Sequence, residues 1–319
     1  MRYFITGSTG FIGRRIAQQL CHAGHSVVAL VRDLKKGRCL AEHGAELVEG
    51  DILDKNSMHN AMRGCDGLFH VAGCFKIGKA FHEEVRQVNI EGTRNVLELM
   101  KEAAIPKGVY TSSIAIFSNT NGQFPDESFF FSGKHLTEYD RTKWEAHYNV
   151  ALKMIAAGLP LVIVMPGAVY GKNDHTLLGR TLELYSKGHL PLVPAKVPVC
   201  WAHVDDTARG HILAMEKGQV GQSYILACPA HTIAESLSMH SRITGKKHFS
   251  LQTPTWLFRL CIPFLRFVSV FISLPEIYSV EAVRLIAGIT YLGNNAKAKK
   301  ELGYSPRGLE EGFGEVFGG

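Results

Sequence analysis

The feature that most constrains this chain is a glycine loop that separates an apolar run from an amphipathic stretch near the start. Residues 3–6 have the composition of a strand, and Gly7-Ser8-Thr9-Gly10-Phe11-Ile12-Gly13 follow at once. Glycine at this spacing allows a tight turn, close approach of the backbone to a pyrophosphate, and close packing of helix on strand. The N-terminus of the next helix offers free N–H groups to phosphate oxygens. We therefore predict a dinucleotide site whose contacts are Gly7, Thr9, Gly10, Phe11, Ile12 and Gly13.

The first 170 residues alternate short β-branched runs with longer amphipathic stretches, which is typical of βαβ units. The predicted strands are residues 3–6, 26–31, 46–48, 67–71, 108–112 and 161–165. The predicted helices between them are residues 12–23, 56–62, 79–104 and 138–157. This pattern predicts an α/β protein with a Rossmann-type, doubly wound parallel sheet.

The pattern becomes less regular after residue 170. Helices are predicted near residues 204–217, 232–243, 256–272 and 294–302, with a single strand near 223–227. We predict a dinucleotide-binding domain at 1–170 and a smaller, mainly helical substrate-binding part at 171–319, of which about 200–228 partly returns to the main domain. The cleft between the two parts is the expected ligand site.

The end of the second predicted strand bears on the choice of cofactor. Arg32 and Asp33 follow this strand, where an arginine pairs with a 2′-phosphate and a carboxylate accepts from ribose hydroxyls. Because Arg32 comes first, we predict NADP, with Lys35, Lys36 or Arg38 as further contacts. Asp33 keeps NAD as the alternative.

Two more strand ends carry candidate contacts with the cofactor. Asp51 and Ile52 follow the third predicted strand, where the carboxylate can meet an adenine amino group. Val71, Ala72 and Gly73 follow the fourth, where small side chains let a cofactor lie against the sheet.

A tyrosine and a lysine supply the chemistry. Tyr139 and Lys143 stand four residues apart on one face of a predicted helix, and none of the other tyrosines among the 10 has a lysine at this spacing. A phenol with a pKa of about 10 is a poor base at neutral pH, so we expect the neighbouring ammonium to lower that pKa. Ser112 and Ser113 end the fifth strand and point to opposite sides, so only one can hold a substrate carbonyl beside the phenol. The combination predicts hydride and proton transfer.

The ordered set of glycine loop, serine, tyrosine and lysine resembles the extended short-chain dehydrogenase/reductase family. Six further motifs resemble the dihydroflavonol-reductase-like and epimerase branch of this family. They are Val-Arg-Asp at 31–33, Gly-Asp-Ile at 50–52, Phe-His-Val-Ala-Gly at 69–73, Val-Asn-Ile-Glu-Gly-Thr at 88–93, Pro-Gly-Ala-Val-Tyr-Gly at 166–171 and His-Val-Asp-Asp at 203–206. The resemblance implies that Ser113 rather than Ser112 orients the carbonyl, that Tyr139 donates the proton, and that Lys143 binds the nicotinamide ribose.

Other residues of these motifs have less certain roles. The resemblance implies that Pro166 and Gly167 lie near the nicotinamide. For Asn89 and residues 203–206 we favour structural roles, as a brace and as a helix start.

We expect NADP-dependent reduction of a ketone or aldehyde, or the reverse oxidation of the alcohol, on an aromatic, terpenoid or steroid-like substrate. The apolar residues 129–131 and 255–274 suggest the hydrophobic class. One alternative is a nucleotide-sugar epimerase or dehydratase with tightly bound NAD, and a less favoured one is a non-catalytic dinucleotide-binding regulator. An epimerase would bind the diphosphate of its nucleotide-sugar substrate with lysine or arginine side chains. The candidates for that role in the middle region are Arg180, Lys187, Lys196 and Arg209.

Charge and cysteine content narrow the function classes. The net charge of +6 comes from 35 basic and 29 acidic residues spread along the chain, which argues against a nucleic-acid surface. The 7 cysteines contain no C-x-x-C pair, and no H-E-x-x-H occurs, so neither a disulfide framework nor a metal site is predicted. The apolar run beginning at residue 3 leaves no room for a signal peptide, and we expect a cytoplasmic protein.

Residues 255–274 are apolar for nearly the length of a membrane span, but they contain Arg259, Pro263 and Arg266. We predict no transmembrane helix here. The favoured interpretation is an apolar helix pair that covers the substrate pocket or forms an oligomer interface, for example in a homodimer. Peripheral contact with lipid is the alternative.

Overall fold

The computed structural model describes residues 1–76, 78–174, 176–246, 248, 250–269, 271–272 and 280–318. Its strands, in chain order, are β1 (Arg2–Thr6), β2 (Ser26–Val31), β3 (Glu46–Glu49), β4 (Gly67–His70), β5 (Gly108–Thr111), β6 (Leu161–Pro166), β7 (Ala168–Tyr170), β8 (Leu192–Pro194), β9 (Pro198–His203), β10 (Ser223–Leu226), β11 (Ala230–Thr232) and β12 (Leu251–Thr253). Its α-helices are α1 (Phe11–His22), α2 (Leu34–Glu42), α3 (Lys55–Met62), α4 (His82–Arg86), α5 (Thr93–Glu102), α6 (Glu138–Glu145), α7 (Leu152–Ala156), α8 (Leu177–Ser186), α9 (Val204–Lys217), α10 (Ile233–Thr244), α11 (Thr255–Val268), α12 (Val280–Ile286) and α13 (Leu309–Phe317).

Seven parallel strands form the main sheet in the order β10-β6-β5-β4-β1-β2-β3. Helices cover both faces, so the central strands are apolar along their whole length, and every residue of β4, β5 and β6 is buried. One face packs on α1 and α9, and the other on α3, α5 and the helix that contains α7. The predicted Rossmann-type α/β fold is confirmed.

Two long predicted helices contain wider turns than expected. Helix α4 continues through a π-helical turn (Gln87–Gly92) into α5, and α6 continues through another (Ala146–Ala151) into α7. The two π turns contact each other. The predicted helical runs at 79–104 and 138–157 are therefore present, and the first of them begins with a 3-10 turn (Lys79–Phe81).

The C-terminal part contains more strands than the single one predicted. Strand β10 pairs with β6 in the main sheet, as the prediction near 223–227 required. The prediction missed β7, β9 and β11, which form a second sheet, and β8 with β12, which form a third. Four of these five strands are three residues long, which is too short to show an alternating pattern.

An aromatic cluster holds this part together. Tyr170, Trp201 and Phe313 pack edge to face, with ring centroids between 5.2 and 5.8 Å apart. The helix predicted at 204–217 is confirmed as α9, which packs on α1 and β6 beneath the main sheet. The division of the chain at residue 170 stays a prediction. Among the residues that the structure describes, no helix combines the length and the hydropathy needed to cross a bilayer.

Candidate active site

A cleft of about 860 Å³ opens where the main strands end. Its lining includes twelve of the candidate contacts predicted after β1 to β4, namely Gly7, Thr9, Gly10, Phe11, Ile12, Gly13, Arg32, Asp51, Ile52, Val71, Ala72 and Gly73. Ser113, Tyr139 and Gly167 line the same cleft, whereas Lys143 and Pro166 lie behind its wall. The fold thus gathers residues from six strand ends around one space, as expected for an open α/β sheet.

The glycine loop is shaped so that side chains do not fit. Gly7 has a φ of +69°, and a Cβ added there would lie 2.6 Å from the backbone nitrogen of Ala72. A Cβ on Gly13 would lie 2.2 Å from the carbonyl oxygen of Gly7. Helix α1 begins after Gly10 without a side-chain cap, so the N–H groups of its first turn remain available. The loop therefore fits the phosphates of a dinucleotide, which it would bind through backbone N–H groups and the helix dipole.

The two charged residues after β2 differ in whether their side chains are available to bind a ligand in the cleft. The Asp33 carboxylate caps α2, because it accepts the N–H of Lys35 at 2.8 Å. Arg32 is exposed at the cleft, and within the described ranges no carboxylate pairs with it. Lys35, Lys36 and Arg38 are absent from the described lining. Among the described residues after β2, the cation that lines the cleft is therefore Arg32.

The residues after β3 form a turn against the cleft. One carboxylate oxygen of Asp51 accepts the N–H of Leu53 at 2.9 Å, and Asp51 is half-buried. Ile52 is buried, and its side chain fills the space that Gly92 leaves open because it has no side chain.

The two serines after β5 are separated by the alternation of the strand. Ser113 lines the cleft and lies close enough to Tyr139 to lower the pKa of its phenol. Ser112 is buried on the opposite side, where its hydroxyl hydrogen-bonds with Nδ1 of His147 at 2.9 Å. Only Ser113 is therefore available to a ligand in the cleft.

Tyr139 lies in the first turn of α6, which begins after a Thr137 cap that accepts the N–H of Asp140 at 3.0 Å. Its ring meets that of Phe75 edge to face, with centroids 4.8 Å apart. Burial raises the pKa of Tyr139 to about 12, and the neighbouring Ser113 hydroxyl opposes that rise only in part. The direction is opposite to the one expected from the sequence, because desolvation of the phenolate exceeds the other effects. The phenol of Tyr139 is therefore protonated at neutral pH in this structure.

Lys143 lies one turn further along α6 and is only 4% exposed. Its Nζ donates to the carbonyl oxygen of Thr111 at 2.7 Å and lies 5.0 Å from the ring centroid of Tyr110. A Cβ added at Gly73 would lie 3.8 Å from this Nζ, so the amine stands directly behind the cleft floor. Burial lowers the pKa of Lys143 to about 7.

A buried polar layer supports these groups, and sequence reasoning missed it. Nδ1 of His70 hydrogen-bonds with the hydroxyl of Thr6 at 2.7 Å, and its Nε2 with that of Thr93 at 3.0 Å. The imidazole stacks on the ring of Tyr110 with the centroids 5.4 Å apart, and Nζ of Lys143 lies over the same Tyr110 ring. Burial lowers the pKa of His70 to about 3, so the layer is neutral at this point. The contacts join four strands and helices, and no local pattern in the sequence marks them.

The structural roles favoured for the remaining motif residues agree with their contacts. Asn89, in the first π turn, accepts the N–H of Cys74 at 2.8 Å and donates to the hydroxyl of Thr142 at 3.0 Å, which ties the loop after β4 to α6. His203 caps α9, and Asp206 accepts from the guanidinium of Arg307 at 2.8 Å.

Comparison with known proteins now decides the family. The model of the NAD dependent epimerase/dehydratase family matches residues 3–227. The chain belongs to this family. A putative dihydroflavonol 4-reductase from Synechocystis sp. is 32% identical over 263 residues, which cover 80% of this chain and 76% of that protein. Sterol demethylase protein B from Methylococcus capsulatus is 28% identical over 325 residues, which cover 99% and 97%.

A solved structure agrees with this membership. The crystal structure of gox2253 superimposes with a TM-score of 0.82 at 30% identity and covers 98% of this chain and 95% of that one. The protein is an NAD(P)-dependent oxidoreductase of the extended short-chain dehydrogenase/reductase family, which confirms the predicted family and enzyme class.

In this extended short-chain dehydrogenase/reductase, the half of the cleft beyond Tyr139 is mainly apolar. Its aliphatic and aromatic lining includes Leu178, Leu182, Leu190, Leu192, Val193, Val197, Val199, Trp201, Ile233, Leu237, Leu285, Ile286, Ile289 and Tyr291. Among the described lining residues after Pro166 there is no lysine or arginine. The cations considered for a diphosphate, Arg180, Lys187, Lys196 and Arg209, therefore lie outside the described lining.

The aromatic run at 129–131 does not take part in this lining. Phe129 packs edge to face on Phe117, and Phe130 packs on Trp144 and Tyr148. These residues are absent from the described lining of the cleft, so the run gives no support to the hydrophobic class of substrate.

Proposed function

We propose that this enzyme reduces a ketone or aldehyde on a hydrophobic substrate with NADPH, and that Tyr139 donates the proton. One observation carries the proposal. The phenol of Tyr139, beside Ser113, stands between a cradle for a dinucleotide and an apolar half of the cleft, whose described lining residues after Pro166 include no lysine or arginine. When bound, the dinucleotide supplies a hydride to the carbonyl carbon.

The side chains of the chain act on the carbonyl oxygen. The hydroxyls of Ser113 and Tyr139 would hold this oxygen, and the phenol proton would pass to it as negative charge develops. Ser113 would then donate to the phenolate that remains. Lys143, one turn away on the same helix face, would stabilise that phenolate when protonated.

The preference for NADP rests on the residues after β2. Arg32 is free to pair with a 2′-phosphate, whereas the Asp33 carboxylate is already bound to the backbone of α2. Gly7, Gly13 and the first turn of α1 would hold the pyrophosphate. Pro166 and Gly167 are assigned to the nicotinamide end of the site on the family resemblance.

The test is an absorbance assay of NADPH and NADH oxidation over a panel of aromatic, terpenoid and steroid ketones and aldehydes. We expect faster turnover with NADPH, and a loss of kcat by roughly 10²- to 10⁴-fold in Tyr139→Phe while the dinucleotide still binds. Tyr148→Phe is the matched control, because its hydroxyl donates to the carbonyl of Phe129 outside the cleft.

Three results would count against the proposal. Equal rates with NADH would remove the role of Arg32. Purified protein with tightly bound NAD and no net turnover would favour the epimerase hypothesis. Full activity in Tyr139→Phe would refute the assignment of the proton donor.

A further inference from the structure

Helix α11 is a 14-residue helix without a single buried residue, although it is rich in large apolar side chains. Trp256, Leu260, Phe264, Phe267 and Phe271 are between 56% and 71% exposed. We call these five residues the α11 face. An exposed apolar area of this kind marks an interaction surface rather than ordinary solvent contact.

The spacing of the α11 face shows that it is one continuous stripe. Its members follow at intervals of four, four, three and four residues. The four within the helix lie within about 80° of arc, and Phe271 follows shortly after the helix ends at Val268. Phe258, Ile262 and Leu265 are on the opposite side and are half-buried. Both sides of the helix are therefore apolar, but only one of them is covered by the rest of the protein.

The opposite side of α11 joins the helix to the wall of the active-site cleft. Helix α11 packs on α12, and Nε of Arg259 donates to the carbonyl oxygen of Ala287 at 2.8 Å. Ala282, Leu285 and Ile286 of α12 line the cleft. One helix thus separates the α11 face from the apolar pocket.

Charge distinguishes a lipid partner from a second copy of the chain. Helix α11 itself contains Arg259 and Arg266 and no aspartate or glutamate. In a symmetric dimer the same surface meets itself, so these cations would face each other without acidic partners. Anionic lipid headgroups would instead neutralise them.

We propose that α11 docks this enzyme onto an anionic lipid surface, lying in the plane of the interface with the α11 face among the acyl chains. A 14-residue helix is about 21 Å long, whereas the hydrocarbon core is about 30 Å thick, so the helix lies on the bilayer and does not cross it. Trp256 and the two arginines suit the headgroup level. If the proposed function holds, a lipophilic carbonyl compound reaches the cleft past α12 directly from the membrane.

Sedimentation with vesicles tests the docking. Wild-type protein should bind vesicles of phosphatidylcholine with phosphatidylglycerol, and bind vesicles of phosphatidylcholine alone more weakly. Leu260→Ser/Phe264→Ser should lower partitioning by roughly tenfold or more, because two large apolar groups are withdrawn from the acyl region. The matched control is Phe124→Ser/Val220→Ser, since those side chains are 53% and 52% exposed elsewhere on the surface.

Two results would overturn the proposal. One is wild-type protein that binds neither kind of vesicle. The other is a Leu260→Ser/Phe264→Ser variant that partitions like the control variant. If sedimentation velocity shows a dimer that the α11 variant dissociates, without vesicle binding, the face belongs to a second copy. The vesicle assay needs no turnover, so its outcome is independent of whether the enzyme reduces carbonyl compounds.

Discussion

Three histidines buried around the main sheet should make the enzyme sensitive to mild acid. His70, His147 and His211 are at most 3% exposed, and burial lowers their pKa values to about 3, about 3 and about 4. Their hydrogen bonds suit neutral rings. Nδ1 of His211 must donate to the carbonyl oxygen of Thr207 at 2.7 Å, which leaves Nε2 to accept from the hydroxyl of Thr111 at 2.9 Å.

The sign and size of the effect follow from these pKa values. Because the unfolded chain binds each proton at a pKa of about 6.5, the stability is complete above that pH and is lost as the pH falls. At pH 5, about 1.5 pH units below the pKa of the unfolded chain, each histidine lowers the free energy of unfolding by about 2 kcal/mol. The three together cost about 6 kcal/mol, which is a large part of the roughly 5–15 kcal/mol that stabilises a typical domain. The pKa values of the three histidines in the folded protein contribute little to this loss of stability, since all three lie below 5.

Urea unfolding followed by tryptophan fluorescence at about pH 7.5 and about pH 5 measures this difference. His147→Gln should remove about one third of the loss, whereas the exposed His59→Gln should leave it unchanged. Burial also lowers the pKa values of His135, His203 and His240, which can only add to the effect. A loss below about 2 kcal/mol over this range, or an equal loss in His147→Gln, would refute the reasoning.

Three further predictions concern the cleft. Arg32→Gln should raise the KM for NADPH by about tenfold or more and change that for NADH by less than about twofold, as measured by initial rates. Gly7→Ala should abolish dinucleotide binding in calorimetry, because its Cβ would meet the Ala72 backbone at 2.6 Å, whereas Gly44→Ala, with a φ of +91° and open space, should cost only about 1 kcal/mol of stability. Ser113→Ala should lower kcat by about 10²-fold, while Ser112→Ala should spare kcat and lower stability by about 1–3 kcal/mol, as measured by kinetics and urea unfolding. Full activity in Ser113→Ala, or retained binding in Gly7→Ala, would contradict these assignments.

The parts of the fold predicted from the sequence are those in which local pattern and tertiary packing agree. Strand β6 is one apolar run because helices cover both of its sides, and α1 follows a loop whose glycines signal its start. Helix α2 was missed, since only Gly37 and Leu40 of its nine residues are buried, although the Asp33 cap was a usable signal.

The candidate site was predictable where residue type and spacing carry the chemistry, as for Tyr139 with Lys143. The pKa of Tyr139 was not predictable, because the direction depends on burial that only the assembled cleft creates. The contact between Phe75 and Tyr139 joins residues far apart in sequence, and so does the stack of His70 on Tyr110. Long-range contacts of this kind leave no periodic trace in a single sequence.

The π turn between α4 and α5 has a consequence for how this region tolerates change. A π turn holds one residue more than an α turn, which shifts the phase of the side chains by about 100° between its two ends. Within the turn Asn89 points at Cys74 and Thr142, and beyond it Val96 and Met100 still point at the sheet. Deleting one residue here would let the helix close into regular turns while rotating one of these two sets out of place. The length of the segment is therefore under tighter constraint than the identity of its exposed side chains.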